Sequence, residues 1–150
     1  MTTPTFTQLA ASEGDIDTTD QLMMFSGYGK VFIVNGTNLK IADFQNTKLN
    51  TANVGANPPD RGNILTDGTS GAQMVVDYIT TLSGACVIYG YRTTSTTFGN
   101  GNTVTGTDDD GNAISFVLSS AETAPPHWYD WTVYGGDTTT YGTMPAKAYV

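Results

Sequence analysis

Residues 62–76 read GNILTDGTSGAQMVV, and the turn in the middle admits two readings. Gly68-Thr69-Ser70-Gly71-Ala72 lies one residue from the G-x-S-x-G pattern that carries a serine nucleophile in many hydrolases. That pattern needs a strand running into a helix, with the serine on the sharp turn between them. Here the residues after Ser70, GAQMVVDYIT, are rich in β-branched and aromatic side chains and read as a second strand. Strand, Gly-rich turn and strand make a hairpin. Ser70 is therefore expected to be a turn residue at a hairpin tip.

The same pattern returns 39 positions later, where Gly62-Asn63-Ile64-Leu65-Thr66 is echoed by Gly101-Asn102-Thr103-Val104-Thr105. Each copy continues into a polar turn, DGTSG over 67–71 or GTDDDG over 106–111. Each turn leads into a strand-like run, AQMVVDYIT or NAISFVLSS. The second copy has Asp108-Asp109-Asp110 where the first has Thr69-Ser70, and a repeated turn with changing side chains is turn chemistry. A catalytic triad would also need the single histidine, His127, to fold back onto Ser70 from beside two prolines. Between the copies, ACVIYGYR is a fifth strand-like run, interrupted by Gly90 as at a β-bulge. Five strands in one short block predict a small β-barrel or sandwich.

Pro58-Pro59 precedes this block and Pro125-Pro126 follows it. Proline cannot donate to a central ladder, so the pairs are expected to mark exits from one structural unit into another. The chain then divides into a loose polar arm (1–19), a β-hairpin segment (20–57), an inserted β module with a repeated hairpin (58–124) and a returning β segment (125–150). In the second part, KVFIV and NLKIADF flank Asn35-Gly36, a strong hairpin signal because a type I′ turn needs positive φ at both central residues. Val31 and Ile33 should face one way and Phe32 and Val34 the other; Leu39, Ile41 and Asp43 should share a face of the return strand. In the returning segment, Tyr129, Trp131 and Val133 alternate with Trp128, Asp130, Thr132 and Tyr134. The final Ala148-Tyr149-Val150 reads as the middle of a strand, secured by another element or chain unless the protein continues. The expected class is all-β, with antiparallel hairpins and the small module set between blade-like hairpin segments.

Composition narrows the function. Of the 150 residues only 13% are charged, against about 25% in ordinary soluble domains. The net charge is −8 and the six Lys and Arg are dispersed, so the clustered basic footprint of nucleic-acid binding is missing. An anionic membrane surface would repel the chain. No apolar run approaches the roughly 18 residues that span a bilayer, and the N-terminus lacks the pattern of a signal peptide. Cys86 is expected to be a small buried hydrophobe that forms no internal disulfide.

Phosphate-binding loop motifs are absent. Asp108, Asp109 and Asp110 are the best candidates for a hard cation, but an EF-hand spacing would put its first ligand on Gly106 and its twelfth on Val117. A glycosidase pair is hard to assemble from the two glutamates, Glu13 and Glu122, and would have to draw on the aspartates. No catalytic residue, metal or cofactor is expected. Trp128, Tyr129, Trp131 and Tyr134 form the candidate binding or interface cluster, because aromatic faces either fill a core and interface or stack on sugar rings.

The GNILT…GTSGA…VV pattern, with its partner GNTVTG, resembles small β modules of tailed-bacteriophage fibre and decoration proteins. KVFIVNGTNLKIADF and HWYDWTVYGGDTTTYGTMPAKAYV are similar to the opening of phage tail-tube or nozzle-like proteins, in which blade-like hairpins build a ring-shaped channel component. The resemblance covers most of residues 20–150. It implies a non-enzymatic virion protein, assembled in the host cytoplasm, whose partners are copies of itself and other virion proteins. One departure is that a propeller needs several blades and this chain holds at most one or two. The alternative expectation is a carbohydrate-binding module that takes a host-surface glycan through Trp128 and Trp131.

Overall fold

The computed structural model describes residues 21–35, 39–51, 53–79 and 86–130, with residues 129 and 130 described through their backbone alone. Every regular element among them is a β-strand, and all pairings are antiparallel. The strands form two sheets, one in each of two compact units: Met1–Phe44 with Pro126–Val150, and Gln45–Pro125.

The first unit holds β1 (Met23–Gly27), β2 (Lys30–Val34) and β3 (Leu39–Asp43), and the chain returns to it as β10 (His127–Asp130). Their order in the sheet is β1-β2-β3-β10. The expected hairpin from KVFIV to NLKIADF is present, with Val34 opposite Leu39 and Lys30 opposite Asp43; its turn at 36–38 falls outside the described residues. A second, tighter hairpin joins β1 to β2 through Tyr28 (φ 52°) and Gly29 (φ 71°). Two consecutive positive φ values are the signature of a type I′ turn, which matches the twist of the flanking strands. Glycine adopts this conformation freely, whereas tyrosine does so against its steric preference. For that reason the sequence signal was silent here.

Register settles the faces of this sheet. Leu39, Ile41 and Asp43 share one side with Lys30, Phe32 and Val34, as two-residue alternation requires. Val34 and Ile41 are fully buried on that side and Ala42 on the other.

In the second unit, β4 (Thr47–Thr51), β5 (Ile64–Asp67), β6 (Gln73–Ile79), β7 (Cys86–Arg92), β8 (Thr103–Thr107) and β9 (Ala113–Val117) form one sheet in the order β4-β7-β6-β5-β8-β9. The two echoed sequences are the hairpins β5-β6 and β8-β9, and they meet through their first strands. Thr66 stands opposite Thr105, its own counterpart in the repeat. The register is thus that of a local two-fold passing through this threonine pair.

The small module, expected as a barrel or sandwich, is a single antiparallel sheet that does not close into a barrel. A single six-stranded sheet curls until two isolated bridges, Lys48↔Thr123 and Thr51↔Leu118, link its two edges without a ladder. Side-chain bonds reinforce this seam: Thr51 Oγ1 donates to the Val117 carbonyl (3.1 Å) and Asn50 Nδ2 to Ser120 Oγ (3.1 Å). The unit also begins at Gln45 and not at Pro58, because β4 is the partner of β7 and carries Leu49 into the core. Pro125-Pro126 does straddle the exit from the unit.

The inner face collects Leu49, Leu65, Met74, Val76, Ile88, Val104, Ile114, Phe116 and Leu118, with Val54, Ala72, Cys86 and Phe98 completing the core. Strict alternation along β9 puts Ile114 and Phe116 inside and Ala113, Ser115 and Val117 outside. Each large apolar side chain so buried contributes about 2 kcal/mol. The expected irregularity near Gly90 sits on the facing strand, where the β6–β7 register shifts between Val76 and Tyr78. A Cβ at Gly90 would collide with the Val75 carbonyl and the Met74 methyl group, so glycine is needed for the close approach.

Candidate functional site

Ser70 lies on the β5–β6 turn, and the next regular element is strand β6. Its backbone N–H donates to Asp67 Oδ1 (3.0 Å), and its Oγ accepts from the N–H of Ala72 (3.2 Å). Gly71 follows at φ 71° and donates to the Asp67 carbonyl. The hydroxyl is thus committed to shaping the turn.

The residue that organises this region is Asp67, which sequence reading passed over as a turn residue. Its side chain is fully buried and accepts from Thr69 N–H (2.8 Å), Ser70 N–H (3.0 Å), Gly99 N–H (3.0 Å) and Asn102 Nδ2, which contacts both oxygens (3.1 and 2.9 Å). Burial by itself would raise the carboxyl, but the donors from Ser70, Asn102, Gly99 and Thr69 outweigh it and hold Asp67 well below the usual carboxylate range. One carboxylate therefore ties the tip of the first hairpin to the loop that enters the second.

The three aspartates of the second hairpin turn do not converge on a common point. Asp108 accepts from Asp110 N–H, Asn112 N–H and Asn112 Nδ2, and the Asn112 side chain is the main cause of its lowered pKa. Asp109 Oδ1 accepts from Asn63 Nδ2 (2.7 Å), which links the second turn to the start of the first repeat. Asp110 is exposed. Among the described residues no three His, Cys, Asp or Glu side chains are grouped to hold a metal ion. Cys86 is buried in the core, and burial pushes its thiol up to about 11, which keeps it protonated and unreactive.

Of the aromatic cluster, Trp128 is half-buried on β10, opposite Ala42, and Tyr129 stands opposite Ile41. Trp131 and Tyr134 lie outside the described residues. Beside Trp128, a row of polar residues crosses the sheet: Lys30 on β2 and His127 on β10 each stand opposite Asp43 on β3. All three are buried, and Lys30 Nζ lies 4.0 Å from Asp43 Oδ2 while also donating to the Tyr28 carbonyl (3.5 Å). A one-residue slip of either neighbour would take its charge or imidazole away from Asp43, so the row pins register.

The surface with no such internal account is the β1 edge. Among the described residues β1 ends the sheet on one side, and Gln21–Gly29 contains no Lys, Arg, Asp or Glu. Met24 is 69% exposed, Tyr28 84%, Phe25 44% and Leu22 40%. Natural edge strands are ordinarily blunted by charge, proline or a covering element. This one presents apolar side chains on both faces of the strand, with the Phe25 ring stacked on Phe32 at 4.9 Å and 7°. The apolar run Leu22-Met23-Met24-Phe25 is visible in the sequence, but nothing in it signals which strand would end the sheet.

The chain matches no family model, no curated protein and no solved structure.

Proposed function

We propose that the chain is a non-enzymatic structural component of a bacteriophage virion, in the tail tube or nozzle or in an attached fibre, that works by assembling with copies of itself and other virion proteins. The observation that carries this reading is the uncharged, apolar edge strand β1, a shape that strand addition from a neighbouring subunit would complete. The resemblance of the repeated hairpin and its flanking segments to phage fibre and tail modules supports the same role. So does the commitment of Ser70, Asp67, Asp108 and Asp109 to the protein's own backbone and side chains, which leaves them as turn architecture.

The test is to combine the purified protein with the products of the genes that flank its own and to image the mixture by negative-stain electron microscopy. Ordered rings, tubes or fibres containing the chain are expected. A protein that stays separate from every neighbouring gene product would overturn the proposal. The second reading, glycan binding through Trp128 and Trp131, is checked by tryptophan fluorescence against a glycan panel. The half-buried state of Trp128 favours no quenching.

A further inference from the structure

We infer that the partner of the β1 edge is β1 of a second copy, paired antiparallel about a two-fold axis at Phe25. The inference rests on the assembly reading above and specifies its contact.

The Phe25 and Phe32 rings are nearly parallel, with centroids 4.9 Å apart on neighbouring strands. That separation equals the spacing of about 4.7–4.9 Å between strands of any sheet. A ring array with the period of the sheet is continued by the next strand, provided that strand offers an aromatic side chain opposite Phe25. The edge strand meets this condition itself. With the axis at Phe25, directly opposite residues have numbers summing to the same value. Phe25 then meets the partner's Phe25, Met24 meets the partner's Ser26, and Leu22 comes level with the partner's Tyr28.

Directly opposite residues in an antiparallel pair point to the same face, so the four rings Phe32, Phe25, the partner's Phe25 and the partner's Phe32 form one ladder. The exposed Met24, Leu22 and Tyr28 all become covered. Two four-stranded sheets merge into one continuous sheet, and the contact is isologous, which closes it as a dimer and does not propagate a filament.

Charge is compatible with self-association. The chain carries a net −8, yet no charged residue lies between Gln21 and Gly29, so no like charges meet at the axis. A five-residue strand edge offers less than the roughly 800 Å² per partner of a stable complex. The dimer is thus expected to be reversible alone and firm where other contacts raise the local concentration.

The experiment is cysteine pairing in the full chain. Phe25→Cys and Ser26→Cys are oxidised mildly, and disulfide dimer is read on a non-reducing gel. The native Cys86 is silent, being buried with its thiol held protonated. Phe25→Cys is expected to cross-link at least tenfold faster than Ser26→Cys, whose copies sit two registers from each other and out of disulfide range. Ser26→Cys mixed with Met24→Cys should cross-link as a heterodimer. Equal rates for the two single variants, or faster linking of Ser26→Cys, would overturn the two-fold. In parallel, Phe25→Lys, with its fold verified by circular dichroism, should shift sedimentation equilibrium toward monomer; unchanged association counts against the inference. Virion-like assemblies without Phe25 cross-linking refute the two-fold and leave the structural role standing. Cross-linking without any such assembly supports the two-fold and tells against the virion reading.

Discussion

The two sheets solve the edge problem of β-structure in opposite ways. The six-stranded sheet curls until its edge strands touch, and side chains of β4 bond the segment that follows β9. It surrounds a core that includes Leu65, Ile88, Phe98 and Ile114 and anchors its turns on a buried carboxylate. The four-stranded sheet, among the described residues, ends at β1 with Met24 and Phe25 exposed, and carries the buried polar row of Lys30, Asp43 and His127. One unit supplies its own stability and the other keeps an edge available. A small β-domain can satisfy its edges internally or leave one for a neighbour to complete; the six-stranded sheet does the first, and β1 is the edge that the proposed assembly would complete.

The sharpest way to break the contrast is to remove Asp67. Asp67→Ala strands the N–H groups of Thr69, Ser70 and Gly99 and the amide of Asn102, and should cost the second unit about 3 kcal/mol or more. Because both tryptophans belong to the first unit, fluorescence-detected unfolding should change little. Hydrogen exchange across residues 64–79 and 99–107 should accelerate strongly.

Asp43 tests the other side. Asp43→Leu removes the carboxylate that lies 4.0 Å from the buried Lys30 ammonium and should destabilise the first unit by about 3 kcal/mol. The double variant Lys30→Met with Asp43→Leu should recover most of that loss, and fluorescence-detected denaturation measures both.

Acid offers a smaller, reversible perturbation. Asp67 is depressed in the folded state, so its contribution is fully present above the ordinary aspartate value of 3.8 and is lost as pH falls below it. The second unit should therefore lose stability between about pH 4 and pH 2 in the native chain, and less steeply in Asp67→Asn. The denaturation midpoint as a function of pH is the measurement.

Asp108→Ala should give the smallest effect of the four. Asp108 caps its turn much as Asp67 caps the first, but solvent can replace its bonds, so the thermal midpoint should barely move. If Asp108→Ala proved as damaging as Asp67→Ala, burial would not be what separates the two copies of the repeat.

Much of this fold was legible in the chain. Alternation in KVFIV and NLKIADF gave the faces of β2 and β3, and the echo of GNILT in GNTVT gave the two hairpins of the second unit. These signals are local, since a strand shows its faces with a period of two and a turn shows its backbone demands in glycine and asparagine. The Tyr28-Gly29 turn was not legible, because nothing in tyrosine announces a left-handed backbone. Proline at 58 and 59 also misplaced the start of the second unit, since proline reports only where a ladder cannot run.

The sequence by itself determined the all-β class, the repeated hairpin and the place of Ser70 on a hairpin turn, all of which follow from neighbours along the chain. Only the tertiary structure decided that the hairpins meet at Thr66 and Thr105, that Asp67 serves both copies, that the six-stranded sheet stays open as a barrel, and that β1 is an edge. Each of these depends on residues far apart in sequence coming into register. Strand periodicity says which way a side chain points, but not which strand lies beside it.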